Sequence, residues 1–196
     1  MPFLISAAGL LGRINEAFLA LGRTLGAACM GVMVVIIMIQ VWFRFVLGDG
    51  LNWTEEAARF LMLWMTGLLA PTAYRRGGLV SIDMLVSYLP RIIGAVLSLL
   101  MLVISAIVLW WGLRIGWSEV TGLGGRFAMP AIAYPSSLDF STWTKIPRGW
   151  MMASLAVGVT AMFVVNIELT LRTIISLLGA EDRLPPIPTE AALGAE

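Results

Sequence analysis

Four apolar runs dictate most of what this chain can become. They fall at about 25–47, 57–74, 92–113 and 151–174. The hydrocarbon core of a bilayer is about 30 Å thick and a helix rises about 1.5 Å per residue, so a spanning helix needs roughly 20 mostly apolar residues. The first run is interrupted by Gln40 and, near its end, Arg44, and the second carries Arg59 in its first turn. The third closes on Trp110 and Trp111, and the fourth holds Asn166, Glu168 and Arg172 in its last third. Composition agrees: 59% of the residues are apolar and 13% charged, with a mean hydropathy of +0.90. A soluble domain cannot cover that much apolar surface with so few charges. The expected fold class is an all-α integral membrane protein, with a membrane domain over 24–178 whose four transmembrane helices leave both termini on one side.

The flanks read differently. In residues 1–23, Leu4, Leu11, Ile14, Phe18 and Leu21 recur at three- and four-residue spacing, with Arg13, Asn15, Glu16 and Arg23 off that stripe. This pattern predicts an N-terminal interfacial amphipathic helix; an extension of the first span is the alternative. The opening MPFLISAAGLLGR has no basic region ahead of its apolar stretch, so a cleaved signal peptide is not expected. The connection at about 114–149 is rich in Gly and Pro and holds Trp117, Phe127, Tyr134 and Trp143. Rings in such a loop suit either a membrane surface or a partner protein. The tail over 179–196 has three prolines in LPPIPTEAALGAE and no apolar period, which predicts disorder. Arginine and lysine are nearly balanced between the two sides. The short connection carrying Arg75, Arg76 and Arg91 is the better witness, and it places both termini in the cytoplasm.

Several function classes are excluded early. The chain has no histidine and a single cysteine, Cys29, in mid-run. Bis-histidine haem, CxxC relays and ordinary zinc sites all need residues that are missing. No cofactor and no metal are expected, and no enzyme. A net charge of +1 without a basic run gives no sign of nucleic-acid binding.

The charge-rich stretch LNWTEEAARFLMLW, at the mouth of the second run, carries the candidate site. Asn52 followed three residues later by Glu55 fits a helix N-cap, and Thr54 is an alternative cap. Glu55 and Glu56 lie where the helix dipole favours negative charge. Arg59 is four residues from Glu55 and three from Glu56, within reach of both. If Glu56 faces inward with Gly67, its natural partner is Arg44, brought back by the LGDGL turn. Trp53 reads as an interfacial anchor. The competing reading is a transport carboxylate, since acids in spanning segments often mark ion pathways. Both glutamates precede the apolar run rather than sitting near its middle, which favours a structural ion-pair cluster. Pro71 frees the carbonyl of Gly67 and predicts a kink. Glu168 and Arg172, four apart, repeat the paired-charge theme.

In order along the chain, Arg44-Phe-Val-Leu-Gly, Leu-Asn-Trp53-Thr-Glu55-Glu56-Ala-Ala-Arg59, Trp64, Gly67, Tyr74-Arg-Arg-Gly-Gly78-Leu-Val-Ser-Ile-Asp83 and Leu89-Pro90 form a set. This set resembles the small membrane subunit, DctQ type, of tripartite ATP-independent periplasmic (TRAP) transporters. The match covers about 44–90 closely, and the four-span layout extends it over about 25–178. Leu79 departs from the pattern, since family members often carry histidine there. The resemblance implies a scaffold subunit of the bacterial inner membrane that works with a large DctM-type permease subunit and a periplasmic solute-binding protein. Together these would import an organic anion, commonly a carboxylate, on a sodium gradient, with substrate and sodium sites in the large partner. Asp83 would then salt-bridge Arg75 or Arg76. A stand-alone exporter acting as a homodimer is the alternative; it needs a titrating group deep in a span, where Gln40 and Asn166 do not titrate.

Overall fold

The computed structural model describes residues 2–77, 91–135 and 143–178. Asp83, Leu79 and the tail lie outside them. Helix α1 runs Pro2–Trp42 and ends in a π-helical turn, Phe43–Leu47. Gly48 follows at φ 74°, a left-handed backbone that a side chain would resist, and it turns the chain toward α2, Asn52–Gly77. Helix α3 spans Arg91–Thr121, and a single turn α4 covers Leu123–Arg126. Strands β1, Ala128–Pro135, and β2, Trp143–Pro147, precede the last helix α5, Gly149–Leu177. Helix α2 packs on both α1 and α5, and α3 packs on α5.

Among the described residues, three helices are long and apolar enough to cross a membrane: Ala8–Leu47, Ile93–Thr121 and Gly149–Leu177. Helix α2, the second of the four expected spans, is not among them. Glu55, Glu56 and Arg59 at one end and Arg75 and Arg76 at the other dilute its apolar stretch. It nonetheless continues unbroken through the buried Pro71.

The separate helix expected over 1–23 is instead the first half of α1, without a break at the boundary. The side that packs is not the apolar stripe: Ile14, Phe18 and Leu21 are exposed and Leu11 half-buried, whereas Ala8, Gly12, Asn15, Leu19, Gly22 and Gly26 are buried. Those buried positions recur at three- and four-residue spacing, the face along which one helix meets another. Small residues there let backbones approach closely, which is how helices associate where lipid is as apolar as leucine.

The expected loop at 114–149 is largely built. Helix α3 continues to Thr121, so Trp117 sits on a helix. Beyond it, β1 and β2 pair antiparallel in the register Ala133↔Lys145, Tyr134↔Thr144 and Pro135↔Trp143, so the fold is not purely α. The ladder is irregular between Ala128 and Ala133, where Pro130 supplies no donor. Met129 of β1 is buried, while Phe127, Trp143 and Trp150 remain exposed.

The tightest helix crossing is between α2 and α5. A Cβ added to Gly158 would lie 2.7 Å from the Gly67 carbonyl oxygen, and one added to Gly67 would fall against the carbonyl of Ser154. The two backbones can meet there because neither residue has a side chain.

Candidate functional site

The charged mouth of α2 is open rather than knotted. Glu55 and Arg59 pair with each other, but their side chains are 73% and 63% exposed and both belong to α2. Such a pair contributes roughly 0.2–0.5 kcal/mol to its own helix and ties it to nothing else. Glu56 does not meet Arg44. Its Oε2 accepts a hydrogen bond from the Ala131 backbone N–H at 2.7 Å, so this carboxylate fastens β1 to α2. Arg44 sits exposed on the π-helical turn and forms no ion pair among the described residues. Thr54, almost wholly buried, lies inside α2 rather than capping it. Its hydroxyl sits against the Gln40 side-chain carbonyl and 2.7 Å from the Leu51 carbonyl, and one proton serves both acceptors. Thr54 thereby joins α2 to α1. Trp53 is exposed, as an interfacial ring would be.

The ionic cluster that does bind helices together lies at the opposite end. Glu168 of α5 is completely buried. Arg75 of α2 reaches it with two donors, Nη2 at 2.8 Å from Oε1 and Nε at 3.0 Å from Oε2. Arg172 Nε donates to Oε1 at 3.0 Å from one turn further along α5. Asn15 Nδ2 of α1 donates to Oε2 at 2.7 Å. Arg75 Nη2 also donates to the Gly12 carbonyl at 3.1 Å, holding α1 a second time. A carboxylate offers about four lone-pair positions, and these donors occupy all of them. Two residues nearer the ribbon end, Asn166 Nδ2 donates to the Tyr74 hydroxyl at 2.6 Å and lies 3.3 Å from the Leu102 carbonyl, which brings in α3.

Sequence reasoning singled out Glu168 and Arg172 as a pair and missed Arg75 and Asn15 as partners. A usable signal existed. Glu168 is the single acid in α5, and an acid inside an apolar helix requires a cation from a neighbour. Asp83, the expected partner of Arg75 or Arg76, lies outside the described residues. Gly67 lies where α2 meets the Ser154 backbone of α5.

Chemically, this arrangement fastens rather than reacts. A carboxylate already surrounded by protein donors has no vacant oxygen with which to replace the hydration shell of an ion. Among the described residues no cluster of His, Cys, Asp and Glu could hold a metal.

Residues 33–175 match the family of tripartite ATP-independent periplasmic transporters, DctQ component. The chain belongs to that family. The DctQ match takes in Glu56, Gly67, Arg75, Gly158, Asn166, Glu168 and Arg172, and starts after Gly12 and Asn15. A curated relative is the isethionate TRAP transporter permease protein DctMQ of Oleidesulfovibrio alaskensis, 29% identical over 118 residues. The alignment covers 55% of this chain and 18% of that relative, so the chain spans a small part of the relative's length. The DctQ-family chain is therefore a multi-pass membrane protein of a transport system, built around a saturated ionic junction.

Proposed function

We propose that this chain is the scaffold subunit of a TRAP transporter and carries no cargo itself. The observation that carries the reading is the saturation of Glu168: the buried acid that could have served as an ion site is spent on holding three helices. In this reading a large DctM-type subunit binds and moves an organic anion, a carboxylate or a similar acid, on a sodium gradient. A periplasmic solute-binding protein delivers it. The relative whose name joins M and Q supports pairing with an M-type partner. The chain is then not an enzyme.

Helix α2 crosses the bacterial inner membrane as a fourth span. Its 26 residues make about 39 Å of helix, and it is packed between α1 and α5, both long enough to cross. Both termini face the cytoplasm, with Arg75 and Arg76 on that side and the β-ribbon in the periplasm. Leu10, Ile14, Phe18 and Leu21, exposed on the first half of α1, are in contact with lipid.

The test is reconstitution. Liposomes holding this chain with its large partner, given the binding protein, the anion and an inward sodium gradient, accumulate the anion. Liposomes with this chain alone do not. Accumulation by the chain alone overturns the scaffold reading.

A further inference from the structure

Three close contacts fix a common level across the bundle. A Cβ added to Gly22 of α1 would lie 3.1 Å from the Leu68 carbonyl oxygen of α2, one on Gly158 of α5 2.7 Å from the Gly67 carbonyl oxygen, and one on Gly116 of α3 3.2 Å from the Ala156 Cα of α5. From that level toward the ribbon, α1 and its π-helical turn continue to Leu47, roughly 35 Å. Helix α5 reaches back only to Gly149 and α3 only to Thr121, about 10 and 8 Å. Toward the junction the order reverses. Leu102, in the middle of the apolar run 92–113, stands beside Asn166, two residues from the Glu168 that holds Asn15. The apolar runs of α1 and α3 therefore lie one beyond the other along the bundle. End to end they cover roughly 70 Å, against a hydrocarbon core of about 30 Å. A tilt of about 40°, the upper end for transmembrane helices, still leaves about 54 Å.

One apolar stretch must then lie outside the bilayer, and exposed charge shows which. Residues 92–113 of α3 carry no charge. Beyond the common level, on the ribbon side, Glu55, Arg59, Glu119, Arg126, Lys145 and Arg148 are all exposed, and the ribbon itself is tied there to Glu56. Such a level suits water rather than hydrocarbon. On α1 in this half, Cys29, Met33, Ile36 and Gln40 are half-buried on the side of α2, where Gln40 meets Thr54. Val35, Met38, Trp42 and Phe45 recur on the opposite side at three- and four-residue spacing, each more than half exposed.

We propose that this ridge is the seat of the large permease subunit, which shields it from water. The proposal rests on the scaffold reading, which supplies that partner. The charges at the same level exclude lipid as the cover. A binding protein that delivers its anion and leaves would return the ridge to water in every cycle, whereas an apolar face of this length needs a permanent cover. Arg44, exposed beside Phe45 and without an ion pair among the described residues, calls for a carboxylate on the partner.

The experiment uses the full-length chain in nanodiscs, alone and with the large subunit. Cys29→Ala removes the native thiol, and single cysteines are labelled with a membrane-impermeant maleimide. In the chain alone, Met38→Cys is expected to react within about threefold of the exposed ribbon position Lys145→Cys, and Val103→Cys on α3 about 20-fold more slowly. The large subunit should slow labelling of Met38→Cys by about tenfold or more. If that variant does not fold, Val35→Cys reports on the same ridge. A Met38→Cys rate matching that of Val103→Cys in the chain alone places the ridge in lipid and overturns the proposal. So does a ridge left unprotected in a complex that still co-purifies, or protection that needs only a second copy of the chain or only the binding protein. Subunits that fail to co-purify overturn the scaffold reading and this proposal with it.

Discussion

Replacing Arg75 with methionine keeps much of the side chain's length and removes two hydrogen bonds to Glu168 and one to the Gly12 carbonyl. Glu168 stays buried, with Asn15 and Arg172 still attached. Stripping one partner from a buried ion pair costs about 3–5 kcal/mol. Because Arg172 remains to neutralise the carboxylate, the lower end applies, about 3 kcal/mol. At 1.4 kcal/mol per tenfold, that shifts the folded-to-unfolded ratio by roughly 100-fold. The assay is equilibrium unfolding in mixed micelles of mild detergent and dodecyl sulfate, followed by far-UV circular dichroism. Glu55→Gln is the control, because its pair with Arg59 is exposed and should cost no more than about 0.5 kcal/mol. Replacing Glu168 as well, by leucine, completes a double-mutant cycle. The double variant should be less damaged than the two single costs summed, by about 1.5 kcal/mol or more, since neither unpaired charge is then left buried. An Arg75→Met cost within 0.5 kcal/mol of the Glu55→Gln cost would show that the junction does not hold the helices.

Gly67→Ala should cost about 1–3 kcal/mol in the same assay, because its methyl group meets the Ser154 carbonyl. Gly31→Ala, where nothing lies within 4 Å of the added Cβ, should be neutral or stabilising by up to about 1 kcal/mol. Glu56→Ala should release β1: hydrogen exchange at the Ala131 amide accelerates at least tenfold, whereas Arg44→Ala leaves it unchanged. Equal rates in the two variants would place the ribbon's anchor elsewhere.

Much of the architecture is legible in the chain because apolar length is a local property. The runs around Val34, Val103 and Val159 need no partner to be recognised, and each falls in a helix long and apolar enough to cross a membrane. The junction is harder to read because its members are scattered. Asn15 lies 153 residues from Glu168, and Arg75 lies 93 away. The packed face of α1 is harder to read than its apolar stripe, for a physical reason. In water, Leu10, Ile14, Phe18 and Leu21 would mark the packed side; against lipid, large apolar residues face outward at no cost, and close packing selects Gly12, Gly22 and Gly26. The ribbon is obscured by Pro130, Pro135 and Pro147, which read as loop signals but sit at its irregular or terminal positions. Glu56 has an accessible chemistry and an inaccessible partner: a backbone amide leaves no trace in sequence.

The junction also constrains biogenesis. Asn15 and Arg75 leave the ribosome long before Glu168, so the first two helices must wait, one with an uncompensated guanidinium, for the final third of the polypeptide. A nascent chain stopped short of α5 presents that cation to the translocon or to a membrane protease. Insertion of α5 and burial of the charge are then a single event.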